Sequence, residues 1–244
     1  MFLKKEGLQP FEKPEITERE RKLLEGLEGL PFYGGYHTQS DLILAWRGLK
    51  PATEIALRRE WFLGEKPIFV GGKDIQKLLD VISALGLHYV DAGRNTREPL
   101  IEKDNDGQSY EMSGEDIVRV CVSREKEIAE KLKSTPAFVG GGGSKSYGTL
   151  CGYPETAINA FVEAERGGEA RLRKSELLIR KEELPADTKN QEFMAFLNFR
   201  ISRAHWREEL EVVKRWSEEI RSIKPTLYEK IVLRWRAMQK PRAI

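Results

Sequence analysis

Apolar positions recur at helical spacing towards both ends of the chain. In the middle they fall into short runs and alternations. Thr17 and Glu20 have the spacing of a capping box, which predicts a helix to about Leu30 with Leu23, Leu24 and Leu27 on one face. Pro31 to Gly35 interrupt it. Asp41 is expected to cap a second helix over 42–49, with Leu42, Ile43, Trp46 and Leu49 at helical intervals. Residues 52–63 suit either helix or strand, and strand is preferred.

From Pro67 the pattern changes. Ile68-Phe69-Val70 reads as a short strand ended by Gly71-Gly72, and Asp74 as the cap of a helix carrying Ile75, Leu78, Leu79, Ile82 and Leu85. Gly86 should stop that helix, and 87–90 should form a second strand. Residues 91–115 are polar and turn-rich, with room for two short hairpin strands. Residues 117–122 alternate as a strand, and Ser123 is placed to cap a helix to Lys133 with Ile128 and Leu132 inward. Phe138-Val139 reads as a last edge strand. Residues 68–74 and 120–125 thus look like two degenerate strand-helix units.

Beyond the run Gly140-Gly141-Gly142-Gly143 the pattern is helical. Pro154 fits a first helical turn, followed by the stripe Ala157, Ile158, Phe161 and Val162 and a stop at Gly167-Gly168. Residues 169–190 read as charged surface. Thr188 with Gln191 and Thr226 with Glu229 read as two further capping boxes. Ser202 is expected to cap a long helix to about Ile223. The last helix should carry Leu227, Ile231, Trp235 and Met238 on one side.

These elements predict an α+β fold: a small mixed sheet with helices on one face, plus a helical C-terminal part. The expected division is an N-terminal arm and helices over 1–66, an α+β core with two strand-helix units over 67–139, and a mainly helical part over 140–244. The three also read as one continuous domain.

At 244 residues, 40% hydrophobic and 33% charged, the chain has the composition of a globular protein with a substantial core. No apolar run reaches membrane-span or signal-peptide length, so a cytoplasmic protein without a membrane partner is expected. Abundant Lys, Arg and Glu beside scarce Asn and Gln resemble thermophile usage. The two cysteines, Cys121 and Cys151, are too few for a disulfide framework. Charge is uneven: residues 198–244 carry 12 Lys+Arg against 6 Asp+Glu, on an otherwise slightly acidic chain. That basic segment suits either an anionic partner or a solvated helical face.

The glycine run invites comparison with a phosphate loop, because successive amides at a helix entry attract anions. Ser144 stands where the Walker pattern needs glycine before Lys145, so that pattern fails. The run reads either as a linker or as an anion loop of Gly142, Gly143, Ser144, Lys145 and Ser146. Arg94 and Arg97, after a strand end, are placed to clamp a carboxylate or phosphate. Arg203 and His205 could line the same pocket. His37 lies in a polar turn and His88 in a strand; each histidine also reads as simply packed or solvated. No histidine lies three or four residues from another His or a Cys, so no metal or cofactor is implied. Cys151 precedes a helix start, a place that activates thiols, but no histidine adjoins it. No residue is assigned a catalytic role.

Tyr147-Gly148-Thr149-Leu150-Cys151-Gly152-Tyr153-Pro154-Glu155-Thr156-Ala157-Ile158, with Gly48-Leu49-Lys50-Pro51-Ala52 earlier, resembles a mostly archaeal Gly-Tyr-Pro family classed as a domain of unknown function (483). The resemblance spans most of the chain and implies cysteine metal ligands after Gly-Tyr-Pro-Glu. This chain has Thr156 and Ala157 there, which puts such a site in doubt.

Two functions remain open. One is binding of nucleic acid or a ribonucleoprotein through Arg200, Arg207, Arg215, Arg234 and Arg236, where Lys and Arg would neutralise phosphates. The other is an enzyme or sensor taking a phosphorylated small molecule at a pocket where the glycine run, the Arg94 loop and the Arg203/His205 region converge. The oligomeric state is not legible in the sequence.

Overall fold

A computed structural model describes residues 15–103, 108–135, 142–166 and 175–239. The expected arm, the Phe138-Val139 strand and the Gly167-Gly168 stop lie outside those residues.

Helix α1 (Glu18–Glu25) begins at the expected capping box: the Thr17 hydroxyl accepts from the Glu20 amide at 3.2 Å, and the Glu20 carboxylate accepts from the Thr17 amide at 2.8 Å. Helix α2 (Tyr36–Trp46) starts earlier than the pattern suggested, after Gly35. Asp41 is therefore not its cap. It lies mid-helix, with its side chain committed to Lys50.

Strands β1 (Ala52–Trp61), β2 (His88–Arg97) and β5 (Gly114–Ser123) form a sheet in the order β1-β5-β2. Strands β3 (Leu100–Lys103) and β4 (Ser109–Met112) make the expected hairpin. All described pairings are antiparallel, so the sheet is not mixed. One reason is that Ile68-Phe69-Val70 is not a strand. The Val70 amide is taken by the Asp116 carboxylate at 2.8 Å instead of a ladder partner. Without it, the two strand-helix units do not repeat.

Helices cover both faces of the sheet, not one. Val118, Val120 and Val122 of β5 face the main core with Ile55 and Leu57 of β1. Cys121 points the other way, into a smaller cluster with Ala52, Leu132 and Leu150. The second face of β5 mixes buried Ile117 and Cys121 with Glu115, Arg119 and Ser123, so its apolar part also needs cover. Helix α3 (Gly72–Ala84) supplies Leu78, Val81 and Ile82 to the first face. Helix α4 (Lys126–Ser134) supplies Leu132 to the second. Asp74 and Ser123 do not cap these helices; Gly71 and Glu125 hold the cap positions.

The rest is mainly helical: α5 (Gly142–Leu150), α6 (Glu155–Glu165), the two-residue strands β6 (Leu178–Ile179) and β7 (Ile201–Ser202), α7 (Ala186–Lys189), α8 (Trp206–Ile223) and α9 (Pro225–Gln239). Short 3-10 turns occupy Lys181–Glu183 and Glu192–Phe196. Thr188 and Thr226 both fall inside helices that begin earlier, after Pro185 and at Pro225, so neither caps. Ser202 stands ahead of α8, which has His205 at its cap; the Ser202 hydroxyl accepts from the His205 amide at 3.1 Å. The main core joins Leu24, Leu78, Met194, Trp216 and Trp235, so it draws on the chain from end to end. Among the described residues no helix is long and apolar enough to cross a membrane.

Candidate functional site

A cavity of about 400 Å³ opens between the α5–α6 pair and the segment 197–200. Ser144, Tyr147 and Gly148 recur on one face of α5, and Ala157, Ile158 and Phe161 on one face of α6. The helices approach closely at Gly148, where a Cβ would lie 2.9 Å from Ile158 Cγ1. The Ser144 hydroxyl donates to Glu165 at 2.9 Å and ties the start of α5 to the end of α6.

The turn between these helices carries the Gly-Tyr-Pro motif. Gly152 adopts φ +73°, and a Cβ there would meet Pro51 Cδ at 3.0 Å and Lys50 Cα at 3.2 Å. The two segments that carry the family resemblance therefore pack against each other. Pro154 then leads into α6 at φ −56°. Thr156, at the position where the resemblance implies a cysteine, donates to the buried Glu209 at 2.7 Å. Glu209 also accepts from the Ser202 amide and hydroxyl, which joins α6, β7 and α8.

Behind the cavity wall lies a buried cation. Lys50 is 2% exposed, and its Nζ donates to Asp41 at 2.7 Å. Its ammonium also lies 4.5 Å from the Trp216 ring centre and 5.7 Å from that of Tyr153. Tyr153 and Phe199, both cavity-lining, lie ring to ring at 5.3 Å, and Phe199 meets Trp216 edge-on at 6.0 Å. Asn198 of the cavity floor donates to both Asp41 oxygens at 3.4 Å. The ion pair thus fixes the floor from behind. His37 lies one helical turn before Asp41 on α2. Burial pushes its pKa below the ordinary histidine value; Asp41 opposes this, while Arg234, Lys181 and Lys50 reinforce it.

The cavity is apolar and aromatic except for Ser144, Asn198, Lys181, Arg200 and the tyrosine hydroxyls. Among the described residues no carboxylate lies within ion-pair distance of Lys181 or Arg200. Lys181 and Arg200 are both exposed to solvent at the cavity; partial desolvation lowers the Lys181 pKa from the ordinary lysine value, against Glu182 and with help from Arg200. Burial pushes the phenols of Tyr147 and Tyr153 upward, so both are hydrogen-bond donors rather than bases at neutral pH.

The residues expected to bind an anion do not meet in this cavity. Of that set, only Ser144 lines it. Gly142 and Gly143 belong to helix α5, and Lys145 and Ser146 are exposed on it. Arg94, on β2, grips the fully buried Asp116 through Nε and Nη2, each at 2.7 Å. Arg97 pairs with Glu115 at 3.4 Å. Arg203 is held by Glu183 and by the Glu176 and Leu178 carbonyls, and this pairing, after that of Arg180, holds the Glu183 pKa down at about 2. His205 is exposed, with Nδ1 3.5 Å from Glu208.

The basic residues of the C-terminal third have separate placements. Arg200 lines the cavity, Arg207 covers the Trp206 ring at 4.3 Å, and Arg215 is exposed on α8. Arg234 packs beside Gly35, whereas Arg236 pairs with Glu192 at 2.5 Å. Two residues apart on α9, these last two point to different sides.

Cys151 is no activated thiol. It ends the α5 turn in an apolar cluster, where burial pushes its pKa up to about 11 despite Lys50 and a hydrogen bond with Tyr147. Burial likewise pushes Cys121 up to about 12. No group of three His, Cys, Asp or Glu side chains among the described residues is arranged to hold a metal ion.

Sequence reasoning missed Lys50, Asp41, Lys181, Asn198 and Phe199 as parts of a site. The one available signal was the pair of motif segments around Lys50 and Tyr153, which carry the cavity turn and its support. Compared with known proteins, the chain matches no family model, no curated protein and no solved structure.

Proposed function

We infer that the protein binds a small amphipathic anion in the α5–α6 cavity: an aromatic or branched aliphatic body bearing a carboxylate or phosphate. One observation carries the reading. An aromatic-walled space of about 400 Å³ has Lys181 and Arg200 among its lining residues and, among the described residues, no ion-paired carboxylate on either. Concave, mostly apolar spaces with a few convergent polar groups are the usual form of ligand sites. A guanidinium beside an ammonium suits a carboxylate or phosphate better than a neutral group. This keeps the small-molecule reading of the sequence but moves its site from the glycine run and Arg94 to the cavity. Membership of the Gly-Tyr-Pro family belongs to the same proposal, supported by the packing of Gly152 on Lys50 and Pro51. A nucleic-acid interface has no comparable observation behind it.

The test is calorimetric titration with 1-naphthoate, 1-naphthyl phosphate and neutral 1-naphthalenemethanol. The anions should bind about tenfold or more tightly than the alcohol, and the preference should vanish in Arg200→Gln. The carboxylate and phosphate arms separate the two head groups. Equal binding of all three, or none, would overturn the reading.

A further inference from the structure

Two neutral polar side chains of the cavity lining have their donors already engaged by carboxylates. Ser144, buried at the start of α5, donates its hydroxyl proton to Glu165 at 2.9 Å. Asn198 donates through Nδ2 to both oxygens of Asp41 at 3.4 Å. A carboxylate accepts and does not donate, so each contact fixes which end of the polar group is turned away from it. Asp41, paired with the Lys50 ammonium at 2.7 Å, offers Asn198 only oxygens. The amide cannot flip without setting its own oxygen against them. Asn198 Oδ1 is therefore left as an acceptor, with no hydrogen-bond partner among the described residues. The Ser144 oxygen likewise keeps its lone pairs. Lys181 and Arg200 supply donors alone. The lining thus offers acceptors beside its cations.

We propose that the ligand is an aromatic acid that also carries a hydrogen-bond donor, a hydroxyl or an amino group, received by Asn198 Oδ1. The inference rests on the cavity being an anion site and narrows the class of ligand. Arg200 lies two residues further along the same floor segment, so one stretch of chain reads both the anion and the donor. Asn198 is exposed, and water hydrates its oxygen in the free protein. A ligand body displaces that water. Without a donor on the ligand the oxygen is stripped of its partner; with one the bond is restored. A site built this way rejects analogues that lack the donor more strongly than an apolar wall can. Asn198 is then the specificity-determining residue, and Asp41 positions it.

The experiment titrates the full chain calorimetrically with two series of acids. One is 3-phenyllactate, its O-methyl ether and 3-phenylpropionate, with the hydroxyl beside the anion. The other is 6-hydroxy-2-naphthoate, 6-methoxy-2-naphthoate and 2-naphthoate, with the hydroxyl at the far end of the ring. In at least one series the hydroxyl compound should bind about fivefold more tightly than both its ether and its parent. The double variant Lys50→Met/Asp41→Asn removes the ion pair without touching a lining residue. An amide at position 41 donates as well as accepts, so Asn198 is free to turn, and the preference should shrink to about twofold or less. A preference set by ligand size or by the aromatic wall would persist in that variant and overturn the role of Asn198. If the parent acids bind and neither hydroxyl compound gains, in a comparison that needs wild type alone, the inference falls and the anion site stands. If none of the six acids binds, both fall.

Discussion

Arg94 and Arg200 are both solvent-exposed cations near aromatic side chains, yet their surroundings are opposite. Arg94 faces Asp116, a carboxylate buried in β5 that accepts from Arg94 Nε and Nη2, the Val70 amide and the Thr96 hydroxyl. Burial alone would raise the Asp116 pKa, but these donors together pull it below the ordinary aspartate value. Arg200 faces a cavity and, among the described residues, has no ion pair. One cation completes a closed polar network; the other is left to complete one. A buried charge without all its partners destabilises a fold, so saturation marks structural duty. Arg200 is exposed to solvent at the cavity and carries no such duty, which leaves it available to the anion proposed above.

Four changes would break or sharpen that contrast. The largest effect is expected at Asp116→Leu, which strands the Val70 amide and Arg94. It should cost about 3 kcal/mol in urea unfolding, with naphthoate affinity unchanged in the folded fraction. The Asp116 pKa is depressed in the folded state. Its contribution is therefore present above the ordinary aspartate pKa and lost as pH falls through the folded value, a loss absent from the variant. Next, Lys50→Met should cost about 2 kcal/mol by leaving Asp41 unpaired beneath Asn198. Adding Asp41→Asn should recover part of that, which a double-mutant cycle would read. A smaller effect is expected from His37. Its folded pKa is depressed, so stability should fall as pH drops below about 6.5, where the unfolded chain takes up a proton that the folded chain resists. Comparing urea midpoints at pH 7.5 and 5.5 for wild type and His37→Gln isolates that slope. The smallest stability change belongs to Arg200→Gln, within about 0.5 kcal/mol, despite its loss of anion preference. A stability loss there as large as at Asp116 would erase the contrast.

How much of this was legible follows from the range of the interactions. The Thr17–Glu20 box is local, three residues apart, and formed as read. The alternation of β5 and the stripe of α8 were equally local. Capping failed as a guide where proline set the start instead, at α7 and α9. Ile68–Val70 looked like a strand because its side chains are apolar, but its backbone partner is a side chain from residue 116. The cavity draws on residues 144–161, 181 and 197–200, and its support on residues 41, 50 and 216. No spacing rule links those segments. Lys50 was invisible for a further reason: lysine is almost always solvated, and only the tertiary structure supplies Asp41 and the Trp216 ring. The glycine run misled because a helix, not a loop, begins within it.

The seat of Gly152 on Lys50 and Pro51 also bears on the order of assembly. Helices α5 and α6 meet through a short local turn, so their pairing closes a small loop at little entropic cost. The contact beneath them joins positions about a hundred residues apart, and a chain closes such loops slowly. The pair can therefore form early, while the wall behind it, with Lys50, Trp216 and Phe199, belongs to the completed molecule. A ligand in this cavity would recognise finished protein only. By mass action it would hold that last step closed, as a latch on the folded state.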